Sequence, residues 1–427
     1  MELHNTLNNR DGTLYVEGVS TSELANRYGT PLYIYSEGRI RDNYRQLYQA
    51  LSSKYPNVKI HFAAKSNTNL SVLRILKEEG ACLDTVSVGE VHLALEAGFS
   101  PEDILFTGTN VRNEDLEYLL NSGVKMNVDS LSVLRRLLDI KTPEVLSVRV
   151  NPEIGAGHHE HVITAGKDSK FGIWEDQLIS AYRYGLERGV KRFGIHMHIG
   201  SGIMDPVPHS LATLKILEMA KRIQEELNID LEFIDLGGGI GIPYRPGENR
   251  VNLDQFFSDV VNTFREKLDE YGLSQPWLYM EPGRYIVGDA GLLLTRVNTL
   301  KETPHKNIIG VDAGFNALAR PAMYGSYHHI LLANRMDAPE ELKYYVTGPL
   351  CESGDFLTKG RTLPAVNEGD LLAVLDTGAY GFVMASNYNS TLKPPEVLVR
   401  GEEHVEIRAR EGLQDLLLKQ SVPEWLR

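Results

Sequence analysis

The 427-residue chain predicts an α/β protein, a (β/α)8 barrel of TIM type joined to a mostly antiparallel β domain. Three observations carry that prediction. Between about Ser36 and Tyr285, eight short apolar, β-prone runs alternate with amphipathic helical stretches, the pattern of parallel βαβ units. Polar residues gather at or just beyond the C-terminal ends of those runs, the rim where such barrels carry their active sites. After Tyr285 helical crossovers become scarce, and strands separated by Gly, Pro and Asp turns take over.

In order, the eight runs are Val58–Lys65, Cys82–Val88, Ile104–Gly108, Lys125–Asp129, Leu146–Asn151, Phe193–Ser201, Leu231–Leu236 and Trp277–Glu281. The first crossover shows the linking pattern: Leu70, Leu73 and Leu76 recur at helical spacing after a cap-like Asn69, and Gly80 ends the helix. These units place the barrel at residues 36–285. A doubly wound sheet would also put functional groups at strand ends, so the count of eight decides for the barrel. Beyond it, Gly291–Thr299, Asn307–Asp312, Leu342–Thr347, Asp370–Asp376, Glu396–Val399 and His404–Arg408 read as strands of a second domain, 286–427. Residues 1–35 are expected to join it, with Thr13–Glu17 and Leu32–Tyr35 as strands around a short helix from Ser22.

Composition excludes several classes of function. The chain is 42% hydrophobic and 24% charged, with a net charge of −13 spread without long runs. That balance argues against nucleic acid or an anionic membrane as partner. The N-terminal MELHNTLNNRDGT has no apolar core for a signal peptide, and no apolar run reaches membrane-spanning length. Cys82 and Cys351 are the only cysteines and lie far apart in sequence, which fits a reducing cytoplasm better than a disulfide framework.

Lys65 ends the first buried run, where a desolvated amine becomes a usable nucleophile that forms Schiff bases with carbonyls or pyridoxal phosphate. The plain alternative is a lysine reaching into water from a strand end. Asp235-Leu-Gly-Gly-Gly-Ile-Gly241 follows the seventh run, and Gly237, Gly238 and Gly239 let backbone N–H groups converge on an anion, usually phosphate. A tight turn is the competing explanation. Glu281-Pro-Gly283-Arg284 turns the chain after the eighth run, leaving a carboxylate suited to a pyridine nitrogen and a guanidinium suited to phosphate or carboxylate. A mutual Glu–Arg ion pair is the alternative there.

His196-Met-His198-Ile-Gly-Ser201 puts two histidines on one face of the sixth run. No third metal ligand stands at a convincing sequence spacing. His198 is better read as a ring against an aromatic cofactor with Ser201 near its phosphate, and His196 as a packed core histidine. His158-His-Glu-His161 has metal-binding composition but lies in a glycine-rich stretch, so a loop over the barrel mouth is preferred to zinc and no metal site is expected. In the second domain, Arg320-Pro-Ala-Met-Tyr324-Gly, Gly348-Pro-Leu-Cys351-Glu352-Ser-Gly-Asp355 and Thr377-Gly-Ala-Tyr380-Gly381 place polar groups on glycine-rich loops.

Taken in order, FAAKSN around Lys65, DTVSVGE (Asp84–Glu90), HMHIGS, DLGGGIG, EPGR, VDAGFNALARPAMYG (Val311–Gly325), GPLCESGD and TGAYGFVMASNYN (Thr377–Asn389) form one pattern. From near residue 12 to its end the chain resembles the diaminopimelate decarboxylase family of fold-type III pyridoxal-phosphate enzymes. Ser66 departs from the alanine that often follows the Schiff-base lysine in that family.

The resemblance implies decarboxylation of meso-2,6-diaminopimelate to L-lysine and carbon dioxide, the last step of lysine biosynthesis. Lys65 would carry the cofactor, His198 would stack on its ring, and Ser201 with Gly237, Gly238 and Gly239 would help hold its phosphate. Glu281 would face the pyridine nitrogen, with Asp84, Gly283 and Arg284 also in the cofactor-binding set. Arg284, Arg320 and Tyr324 would hold substrate carboxylates, and Tyr380 would touch cofactor and substrate. Cys351 would donate a proton and Glu352 would bind the far amino group. In the family those two come from the partner subunit, so a homodimer with shared sites is expected. The rival readings are a relative acting on ornithine, arginine or carboxynorspermidine, and a non-catalytic regulatory homologue. An alanine-racemase-like reading is weaker, because Glu281 stands where that barrel uses arginine.

Overall fold

The computed structural model describes residues 3–154 and 169–426. The chain divides into two compact units: Ile40–Pro243 with Asn249–Val287, and Met1–Arg39 with Tyr244–Glu248 and Gly288–Arg427. His158–His161 lies outside the described residues.

The first unit is a closed barrel of eight parallel strands: Val58–Ala63, Cys82–Thr85, Ile104–Phe106, Lys125–Val128, Val145–Arg149, Arg192–His196, Leu231–Asp235 and Trp277–Met280. Neighbours in space are neighbours in sequence, and the eighth strand closes on the first with Leu278 opposite Val58. All eight runs read from the sequence are strands, yet each ends earlier than its apolar run. The residues just past the strand ends do other work. Ser87, expected in a strand, instead caps the helix Val88–Glu96 by accepting the Glu90 N–H at 3.2 Å. The Glu90 carboxylate reaches back to the Val86 N–H at 2.8 Å, which is a reciprocal cap. Ser130 caps Leu131–Ile140 through the Val133 N–H in the same way.

The first crossover helix runs Leu70–Glu78 with Asn69 as its cap. Its buried stripe is Val72, Leu73, Ile75 and Leu76, whereas Leu70 is exposed. Leucine spacing alone therefore located the helix but misplaced its inner face by part of a turn.

In the second unit the long strand Gly291–Glu302 pairs antiparallel with Asn307–Val311, Leu371–Val374 and Leu32–Ser36. Leu32–Ser36 also pairs, in parallel, with Glu396–Arg400. Asn307–Val311 pairs in parallel with Leu342–Thr347, so the sheet is mixed with antiparallel pairs in the majority. The N-terminal residues add a small sheet of Leu7–Arg10, Thr13–Val16 and Val19–Ser20, and a helix Thr21–Tyr28 capped by Ser20. Leu14, Val16, Leu24, Leu32, Ile34, Leu292, Leu294 and Val397 share one core. Among the described residues four strands of this unit escaped the sequence reading: Leu7–Arg10, Val19–Ser20, Ile330–Leu332 and Phe356–Leu363. Ile330–Leu332 is three residues long, and Phe356–Leu363 carries Lys359-Gly360-Arg361 at its middle. Gly360 has φ +98°, and the pairing register shifts there, so the segment reads locally as a turn.

Candidate active site

The C-terminal rim of the barrel gathers most of the residues singled out above. The first strand stops at Ala63, and Lys65 sits in the single turn Ala64–Ser66 that follows. Its Nζ lies 2.6 Å from Oδ2 of Asp84, which is next to last in the second strand and is wholly buried. The other oxygen of Asp84 accepts the Thr107 hydroxyl at 2.5 Å. The Lys65 side chain is 32% exposed. A desolvated amine was the expectation. The structure instead gives an ion-paired one, because the neighbouring parallel strand delivers a carboxylate opposite Ala63. Burial and the negative charge of Glu281 push the Asp84 carboxyl up, against the opposing pull of Lys65 and Thr107.

Ser66 closes this turn by donating its hydroxyl to the Ala63 carbonyl at 2.7 Å. The Glu281–Arg284 turn lies against it. Ala63 donates its N–H to the Pro282 carbonyl at 3.2 Å, and a Cβ on Gly283 would fall 2.9 Å from the Ser66 hydroxyl. The absence of a side chain at Gly283 is what lets the two turns pack. Arg284 is buried, and its Nη2 donates to the Ser201 hydroxyl at 3.2 Å.

Strands six, seven and eight bring three buried groups together. His196 stands opposite Asp235 in the pairing register, and Glu281 follows the eighth strand. One donor atom from each lies within 4.8 Å of the others, with His196 Nε2 3.2 Å from Glu281 Oε1. Sequence spacing suggested neither this convergence nor a role for His196 beyond packing. The two carboxyls cannot both ionise cheaply so close together. Burial and the Glu281 charge push Asp235 well up, so it holds the proton. Burial alone would raise Glu281, but His196 and Lys65 outweigh it and keep Glu281 far below its usual range and ionised.

His198 lies beyond the end of strand six, so it does not share a strand face with His196. Its Nδ1 accepts the Gly238 N–H at 3.1 Å. The residue is partly exposed, but burial of the ring, with the nearby cations Lys65 and Arg149, pushes it well below the imidazole range. The neutral ring therefore carries its proton on Nε2. The glycine loop is equally fixed: Gly237 donates to Asp235 Oδ1 at 2.8 Å and accepts the Glu281 N–H at 2.8 Å. Gly238 admits no side chain, since a Cβ there would stand 1.9 Å from the Glu281 carbonyl oxygen. His209, which no sequence motif marks, contacts the Gly238 carbonyl through Nε2 at 2.9 Å.

The remaining predicted residues belong to the β-rich unit. Arg320 is buried at the start of the short helix Arg320–Tyr324, with Nη1 donating to the Tyr244 hydroxyl at 3.0 Å and Nη2 to Ser326 at 3.3 Å. Cys351 and Glu352 are exposed. Their loop is held by the buried Asp355, which accepts the N–H groups of Leu350 at 2.9 Å and Phe315 at 2.7 Å. Cys351 itself donates its N–H to Asn389 at 2.9 Å. Tyr380 adopts φ +57°, a conformation that costs an aromatic residue energy and so requires support from its surroundings. Both cysteines are free thiols, Cys82 buried and Cys351 exposed. Among the described residues no helix is long and apolar enough to cross a membrane.

Comparison with known proteins agrees with this geometry. Residues 38–288 match the family described as pyridoxal-dependent decarboxylase, pyridoxal binding domain. The diaminopimelate decarboxylase of Methanothermobacter thermautotrophicus is 53% identical over 418 residues, covering 97% of each chain. That of Archaeoglobus fulgidus is 42% identical, covering 97% of this chain and 99% of the other. A crystal structure of diaminopimelate decarboxylase from M. jannaschii in complex with L-lysine superposes with a TM-score of 0.93 at 33% identity, covering all of both chains.

Proposed function

The chain belongs to the pyridoxal-dependent decarboxylase family, alongside the diaminopimelate decarboxylases, and from that premise we propose that it converts meso-2,6-diaminopimelate to L-lysine and carbon dioxide. Pyridoxal phosphate is its cofactor, and the barrel rim fits that group. An amine (Lys65), a glycine loop with no room for side chains, and an ionised buried carboxylate (Glu281) occupy one rim. The observation that carries the reading is Glu281: an anion kept ionised inside a barrel suits a protonated pyridine nitrogen better than any feature of an ordinary core.

In this reading Lys65 anchors the cofactor through Nζ, with Asp84 orienting the amine. Ser201 and Gly237 to Gly239 hold the phosphate, with Arg284 and Gly283 completing the cofactor-binding set, and His198 lies against the ring. When bound, the cofactor would supply an electron sink for the substrate carbon that loses carbon dioxide. Glu281 holds the proton on the nitrogen facing it. Arg284, Arg320 and Tyr324 bind carboxylates, which a substrate with two amino-acid ends requires. Tyr380 touches cofactor and substrate, Glu352 binds the far amine, and Cys351 supplies the proton that replaces the lost carboxylate.

Cys351 and Glu352 act on the partner's site in a homodimer, a reading supported by the exposure of both on a loop that Asp355 holds rigid. Residues 36–285 bind the cofactor, while 1–35 and 286–427 supply substrate and interface groups. Two free thiols favour a cytoplasmic location.

The test is incubation of the purified protein with meso-diaminopimelate, following carbon dioxide and L-lysine, with ornithine and arginine as controls. Release of carbon dioxide from either control at a comparable rate would overturn the substrate assignment.

A further inference from the structure

In the proposed reading the glycine loop and His198 hold different parts of one group, and a second histidine joins them. His209 is wholly buried near the start of the helix Val207–Leu227. Its Nε2 meets the Gly238 carbonyl at 2.9 Å, while the Gly238 N–H is donated to Nδ1 of His198 at 3.1 Å. Gly238 is thus held through both of its backbone polar groups, each by an imidazole. A carbonyl only accepts, so Nε2 of His209 bears the proton. Burial lowers His209 to about 4, so the ring stays neutral at physiological pH and keeps that tautomer. Its Nδ1 has no partner among the described residues, as expected of the deprotonated nitrogen. The ring is clamped by Phe256, edge-on at 5.1 Å, and the Thr213 hydroxyl donates to the His209 carbonyl at 2.8 Å.

We infer that His209 is a positioning residue, fixing the Gly238 peptide and through it both the His198 ring and the course of the phosphate-holding loop. Gly238 cannot be replaced by a residue that would fix its own backbone, because a Cβ has no space there. An external clamp is the remaining way to hold a glycine peptide against rotation. Loss of the His209 donor would leave the buried Gly238 carbonyl unsatisfied, and the peptide would turn toward another partner. The inference rests on the cofactor reading above.

The experiment uses the full chain and four variants, with pyridoxal phosphate as the probe. Binding is measured by equilibrium dialysis, the geometry of the bound group by its visible circular dichroism, and stability by the Tm of the cofactor-free forms. His209→Leu removes the donor. His209→Gln puts an amide N–H where Nε2 stood. His209→Asn carries an amide that stops short of Gly238, and it serves the same comparison if the leucine variant does not fold. Thr213→Val disturbs the same helical turn without touching the loop.

His209→Leu and His209→Asn are expected to raise the Kd about tenfold or more and to alter the dichroism. His209→Gln should stay within about threefold, and Thr213→Val should lower only the Tm. Wild-type Kd and dichroism in His209→Leu or His209→Asn, whatever the Tm, would overturn the inference. Failure of the unaltered chain to bind pyridoxal phosphate would overturn the functional reading and the inference with it, and is told apart because it shows without any substitution.

Discussion

The Lys65 ammonium is held 2.6 Å from Asp84 by a carboxylate whose second oxygen is already committed to Thr107. Asp84 therefore cannot swing away, and the amine is aimed rather than merely neutralised. Borohydride reduction of the cofactor-loaded protein should fix the label on Lys65 alone, read by peptide mapping. Asp84→Ala should slow cofactor attachment by about tenfold, the effect of losing one charge-assisted hydrogen bond. Label on another lysine would contradict the assignment.

Asp235 and Glu281 are buried neighbours with opposite charge states, and their amide variants should differ accordingly. Asp235→Asn replaces a neutral acid by a neutral amide and should keep activity within about tenfold, whereas Glu281→Gln removes the anion and should lower kcat by about a thousandfold with cofactor still bound. Steady-state kinetics alongside the visible absorbance of the cofactor would decide. Equal losses in the two variants would mean that the proton does not reside on Asp235.

Gly238→Ala should be among the most damaging single-methyl changes in the barrel, because the added carbon would overlap the Glu281 carbonyl at 1.9 Å. Urea titration should show a loss of about 3 kcal/mol, together with weaker cofactor binding. A variant of normal stability would show that the loop can shift.

Glu90 gives a pH signature. Burial raises its carboxyl to about 7 from the usual 4.5, with Asp84 adding to the rise and the Val86 N–H opposing it. The folded protein thus holds a proton that the unfolded chain releases, and stability falls as pH rises through that window. Glu90→Gln removes this loss. Relative to the unaltered chain, the variant should gain about 2 kcal/mol between pH 4.5 and pH 7.5 in denaturant titrations.

Cys351→Ala should lower turnover by about a hundredfold to ten-thousandfold while leaving cofactor bound, as expected when a general acid is removed. Full activity would refute the role. Mixing Cys351→Ala with Lys65→Ala should restore part of the activity if the two residues act from different copies, since one site in the mixed dimer would carry both intact.

The parts of this protein legible in its sequence are those whose signal is local. The barrel strands announced themselves as apolar runs, and Lys65, His198, the Gly237–Gly239 loop and Glu281 each sit in a short string of unusual composition. What stayed hidden depends on strands meeting side by side. His196, Asp235 and Glu281 lie scores of residues apart, and only closure of the barrel makes them one cluster. Asp84 stands in the cofactor-binding set that the resemblance implies, but its hold on Lys65 comes from the alignment of the first two strands. His209 has no motif because its partner is a backbone carbonyl, which has no sequence of its own. Phe356–Leu363 was missed because a glycine bulge looks like a turn until its pairing partner is known.

The strand Leu32–Ser36 lies between Gly291–Glu302 and Glu396–Arg400 in its sheet. During synthesis this strand leaves the ribosome among the first segments, yet both flanking strands emerge only after the whole barrel sequence has been made. For most of translation its backbone N–H and C=O groups must wait without their final ladder partners, exposed to chaperones or to misplaced pairing. A nascent chain stopped before residue 396 has one edge of that strand still open. Termination near the end of the gene should therefore release a product with a complete barrel but with one edge of Leu32–Ser36 unpaired, and proteolysis beginning near Leu32 would mark it.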